Sequence, residues 1–445
     1  MSDRRTVSSA DPVTQATERM LGLSDALFGI AITFLALDFG SEVPTSVDKV
    51  DGYLLDNITG YLAYVFAFLV VGFQWWRHHW VFRFIKQRNN TLLLLNTTLL
   101  AFVALTPFGT EVLGHGIGSP VNLTFFAGLM FCIGTMLWGI WEYAVRHGLT
   151  IPDLDRDLVL NMRVRLMVMP GSFLLIMISA MVAGMIGWEH DLIGLVLLMV
   201  LLCWAASRRF RPPSVGIIER EIETAMASDR DGIARGMVSR LMDGARSERL
   251  TVFTDGVFAV AFTILALRLA PPQDALRSES DLMSMLSANS GALIAYFITF
   301  YVLSEQWMRH VRLFDREVFA DTRMMWLNLV FLMFVAFMPF ATELTTQPGG
   351  RTAILLYLSV LSAATLTQMV MEIQGRRQTS RDSLPEDPAS MRNTRARRIG
   401  VILILIVAST LGLTMPVPET GLYALVLFTV LGPVCSLLVP SAKTA

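Results

Sequence analysis

Long apolar runs, each closed by a short polar or arginine-rich break, recur from one end of the chain to the other. A run of about 20 apolar residues is what an α-helix needs to cross the hydrocarbon core of a bilayer. Twelve such stretches can be marked: 19–40, 58–82, 91–113, 119–145, 164–187, 190–207, 249–270, 284–308, 323–345, 351–374, 398–415 and 420–440. They predict an all-α polytopic membrane protein of about 12 transmembrane helices. Composition points the same way, because 445 residues that are 53% hydrophobic are too apolar for a soluble enzyme and too many for a single anchor.

One helix is written twice. Residues 19–39 read RMLGLSDALFGIAITFLALDF and residues 249–269 read RLTVFTDGVFAVAFTILALRL, 230 positions apart. Each copy opens on an Arg, carries an Asp six residues later, and then stays apolar for one membrane thickness. Ionisable groups at such a place are costly unless partnered, so their duplication marks a site where the charges are used or locked. The repeat continues into the second helix, where Gln74-Trp75-Trp76-Arg77-His78 matches Gln306-Trp307-Met308-Arg309-His310 at an offset of 232. In the third helix Asn96, Pro107, Phe108, Thr110 and Glu111 match Asn328, Pro339, Phe340, Thr342 and Glu343. Beyond the third helix the copies diverge, which places the demanding chemistry on helices one to three. The expected organisation is a tail (1–18), a first six-helix repeat (19–207), a linker (208–248), a second six-helix repeat (249–440) and a short tail (441–445).

Arginine sets the orientation. The connections near 83–90, 146–165, 208–248, 309–323 and 375–398 are rich in Arg, while the alternate ones, such as SEVPTSVDKVDGYLLDN and GWEHD, are poor in cations. Cation-rich connections face the cytoplasm, so both termini are expected inside. Two repeats of six helices then run parallel, related by an axis along the membrane normal, which favours an axial pore over a rocking carrier. The segment IIEREIETAMA of the linker reads as a surface helix, and RRQTSRDSLPEDPASMRNTRARR as a polar cytoplasmic loop. The first eighteen residues are polar and the following run contains Asp25, so the first helix is not expected to be a cleaved leader.

Enzymatic signatures are missing: there is no Walker loop, nucleophile elbow, HExxH or dinucleotide fingerprint. Cys132, Cys203 and Cys435 sit in apolar segments without metal-like spacing, so neither a disulfide framework nor a zinc site is expected. The pair His78-His79 is not repeated, since Val311 follows His310, and no metal or other cofactor is expected. Trp75, Trp80 and Trp307 are read as interfacial aromatic anchors.

The start Arg-x-x-x-Phe-Ser-Asp on a first transmembrane helix, in six-helix repeats, resembles the transmembrane protein 175 family of endolysosomal potassium channels and their prokaryotic relatives. Leu23 stands in place of the family's Phe in the first copy and Thr254 in place of its Ser in the second, while Phe253 and Asp255 fit. The resemblance implies a potassium-permeable pore lined by first helices, without a TVGYG-type carbonyl filter. Prokaryotic members are usually tetramers of single repeats, whereas the two-repeat animal form dimerises. The implied assembly here is therefore a homodimer with a pseudo-tetrameric pore, conducting potassium and with protons or sodium as further permeant ions. It also implies a hydrophobic constriction five residues after the motif Asp, at Ile30 and Val260, with Thr33 and Thr263 three residues on. Ile30, Thr33 and Leu37 share one helix face, and Val260, Thr263 and Leu267 repeat it.

For Arg19, Ser24, Asp25, Arg249, Thr254 and Asp255 the expected role is structural: they clamp the first helix to its neighbours, with His78, Asn96, His310 and Asn328 as polar partners. Asp38 and its mate Arg268 lie one step past the stripe and are expected at the pore mouth. A competing reading from another class is a proton-coupled secondary carrier that titrates Asp25 and Asp255. Proline-broken first helices would favour it, and neither first helix contains proline. With Lys only at positions 49, 86 and 443, the chain has the arginine bias of a GC-rich prokaryotic genome, and a bacterial plasma membrane is the expected location.

Overall fold

The computed structural model describes residues 12–37, 39, 44, 46–114, 119–150, 154, 156–187, 232–269, 290–315, 321–346, 349–382, 407 and 410, with only the backbone at 12–16, 232–247 and 377–382. Among these residues the regular structure is helical: α1 (Pro12–Phe34), a 3-10 turn (Val47–Lys49), α2 (Val50–Asp56), α3 (Ile58–Arg83), α4 (Asn90–Ala104), α5 (Thr106–Gly114), α6 (Pro120–Arg146), α7 (Arg156–Met185), α8 (Gly232–Leu267), α9 (Ser290–Phe314), α10 (Thr322–Thr346) and α11 (Arg351–Asp382). Seven helical stretches are long and apolar enough to cross a membrane, Glu248–Leu267 of α8 among them. Of the expected spans 19–40 and 284–308, residues 19–34 are helical in α1 and residues 290–308 in α9. Those at 190–207, 398–415 and 420–440 lie outside the described residues, as do most of both expected tails, the linker segment 217–227, Asp38, Cys203 and Cys435.

Several boundaries differ from the sequence expectation. The outer connection after α1 contains the 3-10 turn and α2. α8 begins at Gly232, inside the expected linker, and α11 runs on to Asp382, inside the expected loop. The third span of the first repeat is broken at Leu105, ahead of Pro107, with the Thr106 hydroxyl donating to the Val103 carbonyl at 2.7 Å. Its mate Pro339 is carried inside the continuous α10. A proline cannot donate to the carbonyl four residues back, so a break or an accommodated kink is the physical choice at either site.

The chain forms two compact units, Met1–Leu35 with Thr59–Phe253, and Ala36–Ile58 with Thr254–Ala445. In the first unit α6 and α7 pack along their lengths. Pro170 stands inside α7 and has no N–H for the Leu166 carbonyl, so that acceptor would be orphaned in an apolar core. The buried guanidinium of Arg77 on α3 fills the gap, donating to Leu166 O at 2.6 Å and to Gln74 Oε1 at 2.7 Å. Lower on the same pair, Glu142 of α6 accepts from Arg146 and Arg163 at 2.7 Å each. Asn89 caps α4 by accepting from Leu92 N at 2.9 Å, and Asp321, 232 positions on, caps α10 by accepting from Met324 N at 2.7 Å.

In the second unit α10 and α11 form the main pair, with α9 against both. Their interior carries polar links: Thr299 to Thr342 at 3.0 Å, Gln306 to Thr365 at 2.7 Å, and Gln368 to the Gln306 carbonyl at 2.7 Å. Each replaces a water bond that the bilayer cannot supply. The turn into α11 is fixed by Gly350, whose φ of 93° and approach to Val47 leave no room for a side chain.

Gly134 lets α6 close on α7. A Cβ there would stand 3.0 Å from Pro170 Cδ, and a proline ring in a helix cannot turn aside. Gly134→Ala is expected to cost about 1–3 kcal/mol by overpacking, read as a lower thermal unfolding midpoint in detergent. An unchanged midpoint would show that the α6–α7 seam has slack.

Candidate functional site

The first turns of the two repeated helices meet helices two and three through a directed chain of hydrogen bonds. In the first copy Asn96 Nδ2 donates to Ser24 Oγ at 3.0 Å, and Ser24 Oγ donates to the Met20 carbonyl at 2.9 Å. His78 Nε2 lies 2.9 Å from Asn96 Oδ1, and Arg249 Nη2 lies 3.2 Å from His78 Nδ1. A guanidinium can only donate, so Nδ1 accepts and Nε2 carries the proton that goes to Asn96. The direction then runs Arg249, His78, Asn96, Ser24, Met20 carbonyl. The second copy repeats its inner half, with His310 Nε2 3.0 Å from Asn328 Oδ1 and Asn328 Nδ2 donating to Thr254 Oγ1 at 2.9 Å. All of these partners except Met20 and Arg249 are 1% exposed or less.

Asp25 is buried and takes three bonds: Trp75 Nε1 at 2.8 Å, Arg249 Nη2 at 2.6 Å and Arg249 Nε at 2.9 Å. The Arg249 fork is bidentate, the strong geometry for a guanidinium and a carboxylate. Phe253, one turn further along α8, stacks on Trp75 with ring centroids 4.1 Å apart and planes at 16°. Asp255 also accepts from a tryptophan, Trp307 Nε1 at 2.7 Å, but it is exposed.

These positions revise the sequence expectation in two respects. The guanidinium on Asp25 comes from Arg249 of the second copy, and Arg19, at the place predicted to anchor the first copy, is exposed with no ion pair among the described residues. Trp75 is a fully buried hydrogen-bond donor, where interfacial anchoring was expected. Trp75 is thus the site residue that sequence reasoning misplaced, although it stands three positions before His78 and so shares its helix face.

Along the stripe expected to line a pore, Ile30 and Leu37 are exposed, Thr33 is buried with its hydroxyl on the Gly29 carbonyl, Val260 is half-buried, and Thr263 and Leu267 are exposed. Arg268 pairs with the Glu343 carboxylate and donates to the Leu37 carbonyl at 2.6 Å. Its proposed counterpart Asp38 lies outside the described residues.

A family model described as the endosomal/lysosomal potassium channel TMEM175 matches residues 19–107 and 249–339. Both matched stretches begin at the motif arginines and end at the repeated prolines. A mouse protein named endosomal/lysosomal proton channel TMEM175 is 25% identical over 352 residues, 75% of this chain and 67% of its own. Its human counterpart is 25% identical over 358 residues, 75% and 66% of the two chains. A potassium channel of Streptomyces collinus is 31% identical over 158 residues, 33% of this chain and 74% of its own. The alignment thus spans about two thirds of the length of the animal relatives.

Proposed function

Because the chain belongs to the TMEM175 family, a family of ion channels and not of enzymes, we propose that it is a potassium-permeable channel whose pore is lined by α1 and the membrane part of α8. The observation that carries this reading is a stripe left open in both copies of the repeated helix. Gly22, Ala26, Ile30 and Leu37 in the first copy, and Val252, Gly256, Val260 and Leu267 in the second, are all unburied. Steps of four, four and seven keep them on one face. A stripe of this kind on a membrane helix ordinarily meets lipid or a neighbouring helix. Here it is the same stripe in two helices whose other faces are treated differently, as an axis shared by both would require.

On this reading Ile30 and Val260 form a hydrophobic constriction, Leu37 and Leu267 a second ring, and Thr33 and Thr263 flank the path. Two chains supply four first helices around the axis, so the channel is a homodimer in a bacterial plasma membrane with both termini in the cytoplasm. At the outer end the Arg268 guanidinium is held by Glu343, and on this reading Asp38 shares the pore mouth with it. Potassium as the main ion is supported by the likeness to the Streptomyces collinus potassium channel. The animal relatives are named proton channels, which supports protons as a second permeant ion.

Flux from liposomes tests the class of function. Passive, electrodiffusive potassium efflux clamped by the membrane potential is the expected result. Saturable, obligatorily proton-linked exchange would replace the channel with the carrier.

A further inference from the structure

The α6–α7 pair carries a cluster of charge that the proposed pore does not use. Both helices are long and apolar enough to span a bilayer, and α6 ends at Arg146 just before α7 begins at Arg156, so this end of the pair stands at a membrane–water boundary. Glu142, 8% exposed, lies one turn inside that end. Its Oε1 accepts from Arg146 Nε at 2.7 Å and from Arg163 Nη2 at 2.9 Å, and its Oε2 accepts from Arg163 Nε at 2.7 Å. One carboxylate therefore fixes two guanidiniums side by side and neutralises only one of them. The Arg146 side chain is 69% exposed and that of Arg163 38%. Neither Nη atom of Arg146 nor Nη1 of Arg163 has a partner among the described residues, so their N–H groups remain available to an anion.

Next to this cluster a groove of about 440 Å³ lies against the pair, lined by Trp138 of α6 and by Arg163, Val164, Met167 and Val168 of α7. Trp138 stands one turn deeper than Glu142, and Met167 and Val168 stand one turn deeper than Arg163 and Val164, a rise of about 6 Å. The walls thus pass from cationic to apolar in the direction that a lipid runs from headgroup to chain. Val164 and Met167 are exposed, which leaves the apolar part open to a hydrocarbon tail. We propose that the groove binds one anionic glycerophospholipid, with an acyl chain between Trp138 and Met167 and the phosphodiester on the outward N–H groups of Arg146 and Arg163. The charges close, because two guanidiniums and one carboxylate leave a single positive charge and a phosphodiester with an uncharged headgroup brings a single negative one. A zwitterionic lipid offers the same phosphate but adds an ammonium, which the exposed Arg146 repels. Basic pockets between membrane helices recognise lipid headgroups by this chemistry. The site stands apart from the pore reading, since none of its residues lies on α1 or α8.

The test adds phosphatidylglycerol or phosphatidylethanolamine of identical acyl chains to the full-length protein in detergent, and native mass spectrometry counts the lipids retained per chain. Wild type is expected to retain phosphatidylglycerol with an affinity about fivefold above that for phosphatidylethanolamine, the effect of one uncompensated arginine beside a lipid phosphate. Arg146→Gln, at a largely exposed position, is expected to bring the two lipids to parity. Val164→Trp fills the groove from an exposed position and is expected to weaken retention of both lipids several-fold. Glycerophosphate, which has the anion without the tails, is expected to displace neither lipid at equal concentration. Displacement would assign the arginines to a soluble phosphate and overturn the proposal. Equal retention of the two lipids by wild type, a preference that survives Arg146→Gln, or retention unchanged by Val164→Trp would overturn it as well.

Discussion

Asp25→Ala is expected to destabilise the chain by about 3–5 kcal/mol, because it removes the carboxylate from a largely buried Arg249 guanidinium and from the buried Trp75 N–H. Asp25 is 1% exposed and accepts three hydrogen bonds at 2.6 to 2.9 Å, and its loss leaves Arg249 only the contact with His78 Nδ1. The readout is the thermal unfolding midpoint in detergent, followed through tryptophan emission, with Trp75 itself a reporter. Replacing both partners, Asp25→Leu with Arg249→Met, is expected to recover much of the loss, since an apolar pair of similar volume has no charge to desolvate. Asp255→Ala removes a carboxylate bonded to Trp307 alone among the described residues, and its effect on the fold of the chain is smaller. Equal losses for Asp25→Ala and Asp255→Ala in the monomer would contradict the asymmetry of the two sites.

The second large effect concerns conduction. Four branched side chains on an axis exclude water and raise the barrier to a hydrated cation, so Ile30→Ala with Val260→Ala is expected to raise unit conductance several-fold and to weaken discrimination between potassium and sodium. Ile30 is 40% exposed and Val260 half-buried, so little packing is lost and folding is not the variable being read. Isoleucine is one methylene larger than valine, and Ile30→Ala alone should act more strongly than Val260→Ala alone. A double variant that conducts like the parent would place the constriction elsewhere.

Much of the fold was legible in the sequence because the bilayer imposes a length and a polarity on each helix. The helical repeat was legible because it occurs twice, down to Asn96 and Asn328. What could not be read was the partner of each motif arginine. Geometry does narrow it: six residues along a helix is a rise of about 9 Å and a turn of about 240°, so Arg249 cannot reach Asp255 on its own helix. The carboxylate had to lie on another element, yet nothing in a one-dimensional pattern says that it is Asp25, 224 positions away. Trp75 was misread for a related reason, since an indole near a helix end is equally suited to an interface and to a buried carboxylate. Arg77 and Arg309 match in sequence but diverge in use: one satisfies the carbonyl that Pro170 leaves free, and the other pairs with Glu305 at 3.1 Å. The helix that carries the proline decides between those roles, and α7 lies beyond the three helices that the repeat preserves.

The central claim is a passive cation pore on the axis of the first helices, and the reversal potential of the purified protein in a planar bilayer, with KCl on one side and NaCl on the other, tests it most directly. The expected potential is displaced from zero toward the potassium equilibrium value in the parent, and displaced less in the Ile30→Ala, Val260→Ala variant. No unitary current, or a parent and variant with the same reversal potential, would contradict it.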